Sequence, residues 1–342
     1  MSQNQSTCGD TPQPGAVLYD WQLQQWASLA PVVAGGRLPH AVLLSGAPGV
    51  GKRHLAGVLA RALLCEQPTA DTRPCGSCRC CRQMDAGSHP DFTELAPAEP
   101  GKAIRIDPAR AFARALQLTG QYGHRRVGLI APAEALNVAA ANSLLKTMEE
   151  PPAGVHILLV SERPGLILPT IRSRCQHWRV ARPRADALGA WLDTASAGTS
   201  AALPLARGAP LRALALAQSG FAEQQDTLFA ALVGVLAAGR GDPLSLAGQW
   251  QASDPRLLLD WLYLLVTDLF KLAAGAPEAL LLFKTRAPQL QAMAESLCMD
   301  RLRRFVPALV ETRRLLETQV DTLLLLEALS LDLCRCRRQA VA

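Results

Sequence analysis

The chain has 342 residues, 49% hydrophobic and 19% charged, enough for two or three domains with real cores and too ordinary a balance for a fibrous or disordered protein. Its net charge of +6 suits a phosphate-bearing partner without demanding one, and no apolar run reaches the ~18 residues of a membrane span. Ten cysteines would mean disulfides in a secreted chain, but the opening "MSQNQSTCGDTPQPG" lacks the basic and apolar regions of a signal peptide.

That opening reads as a short disordered lead-in, so the cytoplasm is the expected compartment. Clustered cysteines there point to metal. From Leu38 to about Val180, short apolar runs alternate with helix-like stretches. "AVLLSG" (Ala41–Gly46), "RVGLIA" (Arg126–Ala131) and "HILLVS" (His156–Ser161) read as buried parallel strands, which predicts an α/β domain with helices on both faces of the sheet.

The first strand leads into "GAPGVGK", and "RHLAGVLARALL" follows as a helix. This is the strand–loop–helix setting of a phosphate loop, in which backbone N–H groups and the helix N-terminus face phosphates. Gly46, Gly49, Gly51 and Lys52 are in place. The next residue should be Ser or Thr, whose hydroxyl holds Mg²⁺. It is Arg53, which carries only donors and a positive charge.

Next comes "CEQPTADTRPCGSCRCC", which places Cys65, Cys75, Cys78 and Cys81 in a C-x9-C-x2-C-x2-C pattern. Thiolates so spaced converge on a tetrahedral ion, and zinc is the expected one. Four sulfur ligands leave no open position, so the site is expected to be structural. Cys80 reads as a bystander, and Cys8, Cys298, Cys334 and Cys336 as buried or idle thiols.

The strand "RVGLI" should end in an Asp-Glu pair if the loop hydrolyses a nucleotide, but it runs into Ala131-Pro132. Glu134 lies nearby in a new turn, where its carboxylate is expected to face elsewhere. With Arg53, this predicts a degenerate site that does not hydrolyse ATP. Binding without hydrolysis stays open, because Lys52 and the loop remain.

"NVAAANSLLKTMEEPP" predicts a helix from about Asn137 to the Pro151-Pro152 stop, with Lys146 and Glu150 as an i,i+4 pair. Beyond the strand "HILLVS", Ser173-Arg174-Cys175 follows a short helical turn. Arg174 is either a surface charge or a guanidinium reaching a neighbour's nucleotide. After Val180 no strand is evident. "ADALGAWLDTA" and "APLRALALAQSG" predict two short helices, and from about Phe221 the chain reads as amphipathic or buried helix throughout.

Together, "LPHAVLLSGAPGVGK", the cysteine module, "HPDF" (His89–Phe92), "ANSLLKTMEEPP" and "IRSRC" resemble the delta-prime family of subunits of the bacterial DNA polymerase III clamp loader. The motifs reach to about Val180; the remainder is similar only in architecture. The resemblance implies an AAA+ P-loop α/β domain over 1–179 with a zinc module at 65–81, a helical lid over 180–220 and an all-α collar over 221–342. It implies a ring with gamma/tau and delta subunits that opens the sliding clamp and places it on primed DNA. In that family gamma and tau hydrolyse ATP, and delta-prime is a stator that does not. Arg174 matches the family's arginine finger, Ser161 the sensor 1 position and Arg212 the neighbourhood of sensor 2.

Two other readings compete. An active AAA+ motor subunit would need a hydroxyl after Lys52 and an Asp-Glu pair. A zinc-dependent nucleic-acid binder would interleave aromatics with the basic residues of the cysteine module, where only Arg73, Arg79 and Arg82 occur. No polymerase active site is evident in the sequence.

Overall fold

The computed structural model describes residues 17–338 except 100, 124, 238–241 and 317, so the expected lead-in and Cys8 lie outside the described residues. The chain divides into two compact units. The first runs to Ala195 and adds Gly208–Arg212; the second comprises Ser196–Arg207 and everything from Ala213 onward.

In the first unit the order is α1 (Leu23–Ala34), β1 (Ala41–Ser45), α2 (Lys52–Leu64), α3 (Arg79–Asp85), β2 (Phe92–Leu95), α4 (Ile106–Leu116) and β3 (Arg126–Ile130). It continues with α5 (Val138–Glu149), β4 (Val155–Ser161), α6 (Pro169–Arg172), β5 (Gln176–Arg179) and α7 (Gly189–Thr194). The strands form one parallel sheet in the order β2-β3-β4-β1-β5. Side chains alternate between its faces, and both faces of the three inner strands are covered. Val42, Leu44, Val127, Leu129, Leu158 and Val160 pack with residues of α1 and α2 on one side. Ala41, Leu43, Ile130, Ile157 and Leu159 pack with residues of α4 and α5 on the other.

The three central strands are those that the apolar runs predict. The outer two, "FTEL" and "QHWR", carry no such signal. An edge strand is covered less completely, and in β5 three of four residues are exposed. α5 begins as expected, with the Asn137 side chain accepting a hydrogen bond from the Ala140 N–H at 2.8 Å. It ends one residue earlier than an i,i+4 pair of Lys146 and Glu150 requires. Glu150 leaves helical geometry (φ −125°, ψ 68°), and that pair is absent among the described residues.

The second unit is helical: α8 (Thr199–Ala202), the greater part of α9 (Pro210–Gln218), α10 (Phe221–Leu236), α11 (Pro243–Gln251), α12 (Pro255–Ala273), α13 (Ala287–Ser296), α14 (Met299–Leu315) and α15 (Thr322–Cys334). Its core centres on Trp250 and on α12, which buries Leu258, Trp261, Leu262, Leu265 and Leu269. Asp268 is fully buried there, and it is satisfied by the N–H groups of Leu282 and Phe283 (2.8 and 2.9 Å) and by the Lys271 ammonium (2.9 Å). α15 buries Leu326, Leu329 and Leu333 yet exposes Leu324, Ala328 and Leu331, an apolar stripe at helical spacing. Among the described residues no helix is long and apolar enough to cross a membrane.

Candidate functional site

The loop Gly46–Gly51 joins the C-terminal end of β1 to α2, beside Ser161 at the end of β4. Open parallel sheets bind ligands at this end of the strands. Gly49 (φ +73°) and Gly51 (φ +88°) adopt left-handed backbone that favours glycine. Both are also crowded by the chain itself. A Cβ on Gly49 would lie 2.6 Å from the Arg212 backbone nitrogen, and one on Gly51 would lie 2.6 Å from Gln22 Nε2.

These approaches are hydrogen-bonded. Leu211 N–H donates to the Gly49 carbonyl at 3.0 Å, Trp21 Nε1 to Val50 O at 3.1 Å, and Gln22 Nε2 to Gly51 O at 2.8 Å. Tyr19 stacks on Trp21 (centroids 4.4 Å apart), and Trp191 meets Trp21 edge-on at 5.0 Å. Two separate stretches of chain, 19–22 and 208–212, thus close over the loop, and Trp191 braces the first.

The loop lysine is equally engaged. Lys52 is 1% exposed, its ammonium donating to the Ala47 carbonyl at 2.7 Å and lying 3.6 Å from the Glu162 carboxylate. Arg53, where a metal-binding hydroxyl would stand, is paired with Glu94 of β2 at 2.5 Å. Glu134 does reach the end of β4. Its Oε1 accepts from the N–H groups of Glu162 and Arg163 (3.0 and 3.1 Å), so it fixes that turn. The hydroxyl of Ser161, fully buried, accepts from Arg163 N–H at 3.1 Å.

The second centre is the cysteine group. The sulfurs of Cys65, Cys75, Cys78 and Cys81 all lie within 4.8 Å of one another, with separations of 3.8 Å (Cys65–Cys78), 3.8 Å (Cys65–Cys81) and 4.0 Å (Cys75–Cys81). A tetrahedral ion with metal–sulfur bonds of ~2.3 Å requires sulfur separations of ~3.8 Å, so the group can hold a metal ion.

Main-chain N–H groups already point at these sulfurs. Cys75 N–H donates to Cys65 Sγ (3.4 Å), Cys78 N–H to Cys75 Sγ (3.3 Å) and Cys81 N–H to Cys78 Sγ (3.4 Å). The N–H groups of Ser77 and Cys78 hold the Cys75 thiol down at about 6, while burial pushes Cys65 and Cys81 up. Cys80 stands outside the group, buried, with its thiol pushed up to about 11 mainly by that burial. Cys336 is buried, and Cys298 and Cys334 are partly so.

Arg174 follows α6 on a fixed backbone. Its N–H donates to Ile171 O (3.1 Å), and Ile171 is fully buried. The side chain is 34% exposed, and its guanidinium pairs with Glu149 at the end of α5 and donates to Thr170 O at 2.9 Å. The "HPDF" segment is internal scaffolding. Asp91, 1% exposed, accepts from Gln121 N–H (2.8 Å), Tyr122 N–H (3.0 Å) and Arg126 (3.0 Å).

The structure therefore brings Gly46, Gly49, Gly51, Lys52 and Arg53 together with Ser161, and gathers the four cysteines separately. Sequence reasoning missed Trp21, Gln22, Glu94, Glu149, Glu162 and Leu211. Glu149 and Leu211 lie within quoted stretches, but the contact that gives each of the six its place is one that only folding creates.

Two family models match the chain. One, described as DNA polymerase III, delta subunit, covers residues 21–184; the other, DNA polymerase III, delta subunit, C terminal, covers 219–334. Among relatives, DNA polymerase III subunit delta' of Pseudomonas aeruginosa is 39% identical over 254 residues, 72% of this chain and 75% of that protein. Subunit delta' of Escherichia coli is 35% identical over 264 residues, 76% of this chain and 78% of that protein. DNA polymerase III subunit tau of Escherichia coli is 38% identical over 153 residues, covering 45% of this chain and 23% of tau. The parallel α/β sheet with its loop after β1 and the helical C-terminal region match the AAA+ architecture that the resemblance implies. Through relatives that it matches over three quarters of their length, and through both family models, the chain belongs to the delta-prime family of DNA polymerase III clamp-loader subunits.

Proposed function

We propose that this chain is the stator of its clamp loader: it does not hydrolyse ATP, and it supplies Arg174 to nucleotide held by an adjacent gamma/tau subunit. One observation carries the reading. The two loop side chains that would serve a nucleotide are already engaged by the chain, Lys52 on Ala47 and Glu162 and Arg53 on Glu94. A buried ammonium held by a carbonyl and a carboxylate must give up those partners before it can meet a phosphate. Arg53 cannot ligate Mg²⁺. In this reading the loop stays without ATP, and Ser161 and Arg212, in the positions of sensors 1 and 2, are structural relics.

Arg174 is also paired within the chain, with Glu149, but its side chain is part-exposed and its backbone is tied to a buried anchor at Ile171. An arginine so placed can neutralise charge developing on a γ-phosphate, an effect worth about 10³-fold or more at the site it serves. The chain then works with gamma/tau and delta subunits to load the sliding clamp onto primed DNA, in the cytoplasm. The active-motor alternative would require the contacts of both Lys52 and Arg53 to be broken.

The metal at Cys65, Cys75, Cys78 and Cys81 is proposed to be zinc, held structurally, because four sulfurs at these separations suit it and leave no position for substrate. We keep the three-part division as a proposal: P-loop domain 1–179, lid 180–220 and collar 221–342. The exposed Leu324–Ala328–Leu331 stripe of α15 is the surface we assign to packing against neighbouring subunits.

The test is ATP hydrolysis by the reconstituted assembly, wild type against Arg174→Ala, with the isolated chain beside it. An inert isolated chain and a marked loss of clamp- and DNA-stimulated hydrolysis are expected. Hydrolysis by the isolated chain, with no effect of Arg174→Ala in the assembly, would overturn the stator reading.

A further inference from the structure

The Arg174 guanidinium is docked on its own chain, which raises the question of what holds it there and what releases it. Its two terminal nitrogens face the Glu149 carboxylate and the Thr170 carbonyl. We propose that Glu149 is a parking site for Arg174: its carboxylate holds the guanidinium until a neighbour's nucleotide displaces it, which keeps hydrolysis low before clamp and DNA engage. This inference rests on the finger reading above and adds a residue to it.

Four observations lead to it. First, Glu149 is the last residue of α5, where the helix dipole disfavours a carboxylate. Helix stability therefore gives no reason for the charge, whereas the arginine does. Second, Glu150 beside it makes no ion pair among those found in the described residues, so the two acidic residues are not equivalent.

Third, the pair is accessible, at 34% and 47% side-chain exposure, so an incoming phosphate can reach it. Exposed ion pairs are weak, and a phosphate that accepts two parallel N–H bonds competes well with a carboxylate. Fourth, the backbone needs no change. Ser173 N–H bonds to Pro169 O (2.9 Å) and Arg174 N–H to Ile171 O (3.1 Å), so release is a side-chain rotation from a fixed stem.

The experiment compares Glu149→Gln, Glu149→Asp and Arg174→Ala in the reconstituted assembly, each with and without clamp and primed DNA. Glu149→Gln is expected to raise resting hydrolysis by about 1.5- to 5-fold, the range that the loss of one exposed pair allows, and to leave the stimulated rate unchanged. Glu149→Asp is expected to restore the low resting rate. A merely structural role would instead lower the melting temperature without raising the resting rate.

An unchanged resting rate in Glu149→Gln, or a fall in both rates, overturns parking. If Arg174→Ala still cuts stimulated hydrolysis in that case, the finger reading stands and parking alone is lost. If Arg174→Ala has no effect, both fall together.

Discussion

The phosphate loop and the cysteine group are two sites close together in sequence, and they differ in what the chain itself supplies to them. At the loop the charged side chains and the carbonyls have partners inside the chain: Lys52 with Ala47 and Glu162, Arg53 with Glu94, and the carbonyls of 49–51 with Leu211, Trp21 and Gln22. At the cysteines four sulfurs converge at separations that suit a tetrahedral cation, with backbone N–H groups aimed at three of them. The loop's side chains and carbonyls are held from inside the chain, whereas the four sulfurs are left facing one another. Spelling alone does not separate the two cases.

The largest effect expected from this contrast lies at the cysteines. Metal binding at such sites is worth on the order of 10 kcal/mol and is itself folding energy. Cys81→Ser should abolish stoichiometric zinc and expose the amides of α3 to hydrogen exchange, while the amides of β1, β3 and β4 stay protected. Retention of zinc with unchanged exchange would show that the four sulfurs do not act as one site.

A smaller effect is expected at the loop, where Arg53→Thr restores the motif's spelling. Loss of the exposed pair with Glu94 should cost no more than about 1 kcal/mol. Calorimetry with MgATP should show no gain of binding by the isolated chain, because Lys52 and the 208–212 segment remain where they are. Micromolar binding by this variant would mean that the closure over the loop is loose, and the contrast between the two sites would dissolve.

The smallest expected effect concerns the sheet that carries both sites. Burial lowers the His156 pKa, offset only in part by its bond to Pro39 O, and burial lowers that of His89 too. Each ring therefore stays neutral in the folded chain at pH values where the unfolded chain, titrating near 6.5, takes up a proton. Stability should fall as pH drops below about 6.5 and level off beneath the folded-state pKa values. Melting temperatures from pH 7.5 to 5 check this, and His156→Gln should flatten part of the slope. A slope unchanged in the variant would remove His156 from the account.

Much of this protein was legible before any coordinates. The inner strands are apolar because parallel strands are covered on both faces, and "GAPGVGK" and the cysteine spacing are local patterns whose geometry follows from chain stiffness and turn chemistry. Arg53 and Ala131-Pro132 are equally plain in the sequence as departures from the residues that would hold Mg²⁺ and an attacking water. The edge strands β2 and β5 were not legible, since a half-exposed strand of four residues has no apolar signature. Nor was the i,i+4 pair of Lys146 and Glu150 a safe reading, because the backbone leaves the helix at Glu150.

What the tertiary structure decided is partnership. It turned Glu149 toward Arg174, Glu162 toward Lys52 and Glu94 toward Arg53, and it laid Leu211, Trp21 and Gln22 on the loop's carbonyls. These contacts join residues as far apart as Gly49 and Leu211. No periodicity encodes them, because they depend on how whole elements pack. The sequence determined which groups the protein possesses; folding decided which are already satisfied and which are left to meet a ligand.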